Sequence, residues 1–289
     1  MSDTFYKLTN DILFKRTFGN PKRSNLLICL INALLKLEGQ DKITEVEILN
    51  PFNDKDFIGD KLSILDVKAQ DERGVLYNIE MQVQSTKDWK KRTFYYASKL
   101  YSSQLKNSAS YEQLNKTISI SILDNICFPD NKELHNLYKF HNSKTLEPLE
   151  NLIEMHFIEI PKFNEASPGA LSSPFEKWLY TFKFGDLYQK ESDMIPKELL
   201  TENGIEEAIQ SMQYANSDRH LRELIESRQK FIHDQISAKE WAEKEGRKEG
   251  KKEAMKDIAI KLIDKGIMTN QDISDITGLE PSQIQDLRG

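Results

Sequence analysis

Apolar and polar positions alternate most sharply between Lys61 and Gln84, KLSILDVKAQDERGVLYNIEMQVQ. In the first half Leu62, Ile64, Asp66 and Lys68 alternate with Leu65, Val67 and Ala69. In the second, Leu76, Asn78, Glu80, Gln82 and Gln84 alternate with Tyr77, Ile79, Met81 and Val83. A period of two predicts a strand in each half. Asp71-Glu72-Arg73-Gly74 supplies turn chemistry between them, with Gly74 free to take a positive φ, so the halves are predicted to form an antiparallel hairpin. A hairpin centred near Arg73 sets Asp66 directly opposite Glu80. One face is wholly apolar, and the other still carries Ile64 and Leu76 beside the acids, which predicts a sheet covered on both sides.

The flanking segments read as follows. Thr9 caps a short helix over residues 10–18, ended by Gly19 and Pro21, with Asp11, Phe14 and Phe18 on one inward stripe. Residues 22–37 form a buried helix and 43–49 a strand. Residues 50–60 form a loop, and Lys61 stands at the mouth of the first core strand. Residues 86–105 form a helix with Trp89, Thr93, Ala97 and Leu100 on one face and Arg92, Tyr96, Lys99 and Ser103 on a neighbouring one. Strands follow over 116–128, 134–141 and 152–161, then an amphipathic helix over 173–184 carrying Phe175, Trp178, Leu179 and Phe182. This order predicts an α/β core with a mixed sheet flanked by helices.

From about Glu191 the composition turns to charged helix formers, which divides the chain into a core, 1–190, and a helical C-terminal region, 191–289. Leu221, Leu224, Ile225, Arg228, Phe231, Ile232 and Gln235 form one stripe of a long helix, suited to docking on the core or on a second chain. Lys244, Lys248, Lys252 and Lys256 recur every four residues, but interleaved Glu243, Glu245, Glu249 and Glu253 favour a solvated, ion-paired helix. Gly246 and Gly250 cost that helix about 1 kcal/mol each relative to alanine, which predicts a flexible or bent connector. The tail resembles a helix-turn-helix joined at Thr277-Gly278-Leu279. Its second helix offers only Gln283, Gln285 and Arg288 as readers, against Asp272, Asp275, Glu280 and Asp286, so an interaction or dimer-contact role is expected over DNA reading.

Composition bounds the function classes. A chain of 289 residues with 38% apolar and 30% charged residues reads as soluble and long enough for a substantial core. The longest apolar run, Leu26 to Leu35, is broken by Asn32 and too short for a bilayer, and no secretory signal pattern opens the chain. A cytoplasmic protein without membrane contact is expected. Cys29 and Cys127 lie in apolar segments and read as small core residues; His135, His141 and His156 lack zinc spacing and read as structural. The net charge of −6 disfavours nonspecific nucleic-acid binding, although local clusters matter more than the sum.

Two carboxylates facing each other across a hairpin have Cβ atoms roughly 4.5–5.5 Å apart. Such a pair is relieved by a shared proton or a bound cation, and hard oxygen donors suit Mg²⁺ or Mn²⁺. Gln82, on the same face as Glu80, carries an amide able to orient water or phosphate. The alternative is a solvated face on which Asp66 pairs with Lys68 or Lys61 and Glu80 is merely exposed.

Asp66 followed by Glu80-Met81-Gln82 resembles the PD-(D/E)XK nuclease core, in the variant with glutamine at the final lysine. LTNDILFKRTFG, ILDVKAQDERGVLYNIEMQVQ, KRTFYYASKLYSSQL and KTISISILD, in that order, are similar to the recombination-promoting, transposase-like nucleases of this superfamily. The resemblance covers roughly the first half of the chain. It implies a restriction-endonuclease-like α/β core and a metal-dependent DNA endonuclease acting in recombination, element mobility or phage defence. A catalytically silent DNA-binding or interaction protein is the alternative. It further implies that Asp66, Glu80 and the Met81 carbonyl hold Mg²⁺, or Mn²⁺, that Gln82 positions, and that Asp11 approaches as a third acid. From position alone, Asp11 is also explained as a favourable charge in a first helical turn. In the nuclease reading Lys68, Arg92, Tyr96 and Lys99 contact DNA, with Lys99 or Lys68 replacing the absent lysine; a solvated helix flank is the alternative. Expected partners are DNA and a second copy of the chain, paired through the C-terminal helices.

Overall fold

The computed structural model describes residues 5–50, 66–82, 88–105, 110–150, 152–190 and 192–289. Two helices lead into the sheet. The first, α1 (Asp11–Phe18), is capped by Asn10, whose side chain accepts a hydrogen bond from the Leu13 amide, and it ends at Gly19. The cap is one residue beyond the expected Thr9, in keeping with the stronger capping preference of asparagine. The second, α2 (Ser24–Leu35), buries Leu26, Leu27, Leu30, Ile31 and Leu34. Then come β1 (Val46–Ile48), β2 (Val67–Asp71), β3 (Leu76–Gln82), α3 (Trp89–Ser102), β4 (Thr117–Leu123), β5 (His135–Tyr138), β6 (Ile153–Glu159) and α4 (Pro174–Phe184).

Among the described residues the strands form one mixed sheet of order β1-β2-β3-β4-β6-β5. The pairs β1/β2, β2/β3 and β5/β6 are antiparallel; β3/β4 and β4/β6 are parallel. Val67 faces Ile79 and Lys68 faces Asn78, the register that a hairpin centred on Arg73 requires. Asp71 holds the turn: its Oδ1 accepts the Arg73 and Val75 amides at 3.0 and 2.8 Å, and its Oδ2 accepts the Tyr77 hydroxyl at 3.0 Å. Gly74 takes φ +81°, and an added Cβ would meet the Asn115 side-chain nitrogen at 2.8 Å, so a side chain is doubly disfavoured there.

Both faces are covered, and they differ in character. On one, Val67, Ala69, Tyr77, Ile79, Met81 and the isoleucines of β4 pack with α1, α2 and α4 into one large apolar core. Phe14, Phe18, Trp178 and Phe182 interlock at its centre, with Phe14 and Phe18 centroids 4.8 Å apart. On the other, Trp89 of α3 meets Leu123 and Phe157 in a smaller cluster, with Trp89 and Phe157 edge to face at 5.2 Å. Trp89, Thr93, Ala97 and Leu100 are buried, as the helical stripe predicted.

Packing divides the chain later than composition does, at Ile225/Glu226 instead of near residue 190. The helices α5 (Lys197–Leu200) and α6 (Ile205–Ser217) carry many charges but bury Leu199, Ile205, Ala208, Ile209 and Met212 in the main core. Asn216 of α6 accepts the Tyr6 amide at 2.7 Å and donates to the Tyr6 carbonyl at 2.8 Å, and Ser211 hydrogen-bonds Thr17 of α1 at 3.0 Å. This region therefore fixes the N-terminal helix.

The long helix α7 (Arg219–Asp264) continues through Gly246 and Gly250. Pairs such as Lys239–Glu243 and Lys248–Glu245 line it and offset part of the glycine cost. In the second unit its end packs Ala259 against Ile273, Leu279 and Ile284 of α8 (Asn270–Thr277) and α9 (Pro281–Arg288). Reciprocal caps at Thr269/Asp272 and a left-handed Gly278 set the two short helices. All three candidate readers are engaged internally: Gln283 Oε1 accepts the Glu280 amide at 3.1 Å. Arg288 donates to Asn270 Oδ1 and the Met268 carbonyl, each at 2.7 Å, and Gln285 accepts from Asn270.

His135 Nε2 and His156 Nδ1 lie 2.9 Å apart, with His135 stacked on Phe175 and His156 Nε2 3.6 Å from Glu154. Burial first, then the neighbouring His156 and Lys36, pushes the His135 pKa down to about 4. The unfolded chain therefore binds more protons between pH 6.5 and about 4, so this stability is present above pH 6.5 and lost as pH falls through that window. The full difference is worth about 3 kcal/mol, and solvent screening at a half-buried site leaves about 1–2 kcal/mol. His135→Gln should show a smaller loss of melting temperature from pH 7 to 4 than the wild type; equal losses would locate the acid sensitivity elsewhere. For the second unit, Ile284→Ala should cost about 2–4 kcal/mol and speed amide exchange over 269–289 while sheet amides keep their protection. Equal acceleration in the sheet would show that the units do not unfold separately.

Candidate active site

Asp66 stands immediately before β2, and continuing the pairing of Val67 with Ile79 places it across from Glu80 of β3. It is 3% exposed. Asn50 Nδ2 donates to both the Asp66 carbonyl and Oδ1 at 3.2 Å, while Asn50 Oδ1 accepts the Lys68 amide at 2.7 Å. One asparagine thus ties down the main chain on either side of Val67. Lys15 of α1 donates to the same Asp66 carbonyl, and Lys68 Nζ lies 3.5 Å from Asp66 Oδ2.

Glu80 has a side chain 16% exposed and faces Arg92 of α3 at 3.4 Å. Burial pushes its pKa up, Arg92 pulls it back, and the charge of Asp66 adds to the rise. The Asp66–Glu80 opposition expected from the hairpin is therefore present as an electrostatic coupling. Both acids sit beside cations, so the merely exposed Glu80 of the alternative reading does not describe this site.

Behind the acids runs a polar strip beneath α3. Register places Ser121 of β4 beside Glu80 and Ser119 beside Asn78. Asn78, Ser119 and Ser121 are each at most 2% exposed, and Asn78 Oδ1 and both serine hydroxyls have no hydrogen-bond partner. Buried polar atoms without partners are uncommon and suit a site that takes in water or a ligand. Together with two hard carboxylates that repel each other, they fit a divalent cation with oxygen ligands. Among the described residues no three His, Cys, Asp or Glu side chains gather as a metal cluster.

The other expected site residues lie on α1, β2, β3 and α3. Asp11 is half-buried at the start of α1, where its Oδ1 accepts the Ile12 amide at 2.9 Å. Met81 is buried opposite Ile122, and the Gln82 main chain pairs with Leu123; the Gln82 side chain lies outside the described residues. So do Lys61, Leu62, Ile64, Leu65, Val83 and Gln84. Arg92 joins the site through Glu80, and Lys68 through Asp66. Tyr96 is half-buried beside Tyr95, ring centroids 5.5 Å apart, and Lys99 is exposed, two turns or about 10 Å of helix beyond Arg92.

Two residues at the site escaped sequence reasoning. Lys15 is 5% exposed, with its pKa down to about 8: burial lowers it, Asp66 opposes that fall, and Lys68 adds to it. Its place four residues after Asp11, on the stripe with Phe14 and Phe18, was the available signal. Asn50 lay in a stretch with no periodicity to mark it.

The family model for PD-(D/E)XK nuclease family transposases matches residues 8–242, a span that includes the whole sheet, α1 to α6 and both acids. Neither a curated protein nor a solved structure matches the chain. The mixed sheet between helical layers is a PD-(D/E)XK-like α/β fold, and among the described residues no helix is long and apolar enough to cross a membrane. On the breadth of that match, the chain belongs to the PD-(D/E)XK nuclease family transposases and has a nuclease or transposase-like role.

Proposed function

We propose that this chain is a metal-dependent DNA endonuclease that hydrolyses phosphodiester bonds in recombination, element mobility or phage defence. The observation that carries the reading is the pairing of buried Asp66 with Glu80, whose pKa is raised, at one end of a covered hairpin beside unpaired polar atoms. Asp66, Glu80 and the Met81 carbonyl would hold Mg²⁺ or Mn²⁺. When bound, the ion supplies Lewis-acid polarisation of the scissile phosphate and neutralises charge growing during attack.

The chain's own groups do the rest. Asn50 keeps the Asp66 main chain in register, and Lys68 and Arg92 balance the two carboxylates until substrate arrives. Both cations are then placed to turn to the DNA backbone, with Tyr96 and Lys99 extending the contact along α3. Gln82 orients the attacking water through its amide, which neither carries charge nor takes a proton near neutral pH. Asp11 approaches the metal from the first turn of α1 as a third acid. We assign DNA as the substrate, the cytoplasm as the location, residues 1–190 as the catalytic region, and the C-terminal helices as the contact of a homodimer. Glutamine at position 82 favours one rival, a catalytically silent DNA-binding member of the same fold.

Cleavage of supercoiled plasmid by the full chain with Mg²⁺, Mn²⁺, Ca²⁺ or EDTA decides between them. Asp66→Asn and Glu80→Gln should each lower cleavage by about 100-fold or more while DNA affinity stays within threefold. Nicking that persists unchanged in both variants, or in EDTA, would rule out the assigned acids.

A further inference from the structure

Gln82 leaves the catalytic motif without its usual cation, and the structure brings a different one to the main chain of Asp66. Lys15 is buried on α1 and donates to the main-chain carbonyl of Asp66. Its helix has little freedom: Phe14 and Phe18 are locked into the aromatic core, and Thr17 is tied to Ser211. An ammonium has three N–H donors, and among the described residues the Asp66 carbonyl is the one acceptor of Lys15. Two donors of a buried cation are left for something else, at a cost a fold does not ordinarily bear unless a ligand or water completes them. Lys68 and Lys99 do not match this description. Lys68 is partly exposed and spends its charge on the Asp66 carboxylate, and Lys99 is exposed two turns beyond Arg92.

We propose that Lys15 takes the place of the motif lysine: anchored by the Asp66 carbonyl, its ammonium donates to a non-bridging oxygen of the scissile phosphate beside Asp66 and Glu80. This rests on the nuclease reading and adds a catalytic residue to it. The charge that grows on that oxygen during attack then meets a fixed cation inside the protein, where the interaction is stronger than in water. The rival is a purely structural pin that holds Asp66 in place.

The test uses the full chain as wild type, Lys15→Met, Lys15→Arg and Lys15→Ala. It measures plasmid cleavage with Mg²⁺, Mn²⁺ affinity by calorimetry, and thermal melting. Lys15→Met should lose about 100-fold in kcat with KM and the Mn²⁺ Kd within threefold of wild type. Lys15→Ala should regain activity with methylammonium but not with tetramethylammonium, which has no N–H to donate. If Lys15→Met does not fold, the folded Lys15→Ala and Lys15→Arg proteins carry the test, with partial activity expected for arginine. Cleavage by Lys15→Met within threefold of wild type would overturn the assignment. So would Mn²⁺ affinity lost in step with activity, which marks a positioning role, or failure of amine rescue. A wild-type protein that does not cleave would instead sink the nuclease reading itself.

Discussion

The structure is organised around a repulsion. Asp66 and Glu80 face each other at one end of a hairpin that is covered on both sides, where water cannot screen them as it would on an open surface. Everything close by reduces that cost. Lys68 and Arg92 approach the two carboxylates and Asn50 donates to Asp66, while burial above all, with the Asp66 charge as a smaller cause, still raises the Glu80 pKa. Two paired hard carboxylates, one of them costly to keep ionised, offer oxygen ligands that suit a divalent ion.

The two sheet faces divide the labour. The face towards α1, α2 and α4 is built from isoleucine, leucine and large aromatics, and it carries the stability of the first unit. The face beneath α3 holds Asn78, Ser119 and Ser121 with atoms unpaired, each a cost of about 1–3 kcal/mol if left dry. A sheet that could have buried valine at these positions is less stable for having serine and asparagine there. The loss is tolerated because the opposite core is large, and it sits one strand away from Glu80, where polarity has a use.

How much of this could be read from the chain depended on range. The hairpin register followed from turn chemistry and period two, so the Asp66–Glu80 opposition was visible from local sequence alone, as was the buried stripe of α3. Helix α6 was misjudged, because its charges mark the outer face and conceal how completely Ile205, Ala208, Ile209 and Met212 enter the core. The helix continues through Gly246 and Gly250, since a propensity penalty is a weak prior against an otherwise continuous run of helix formers. Lys15 and Asn50 reach Asp66 across 51 and 16 residues of chain, and no periodicity encodes such contacts.

The same logic links α6 to the chemistry. Lys15 and Asp11 belong to a helix of eight residues, too short to hold itself in place in water. Its position comes from the aromatic cluster beneath it and from α6, whose Asn216 holds Tyr6 ahead of the helix and whose Ser211 holds Thr17 in its last turn. A region whose composition suggests a detachable appendage is therefore part of the scaffold of the candidate site. The distance over which Lys15 can err is small, because a hydrogen bond to the Asp66 carbonyl weakens steeply with misalignment. Truncation before α6 would remove that grip even though every candidate site residue would remain in the chain.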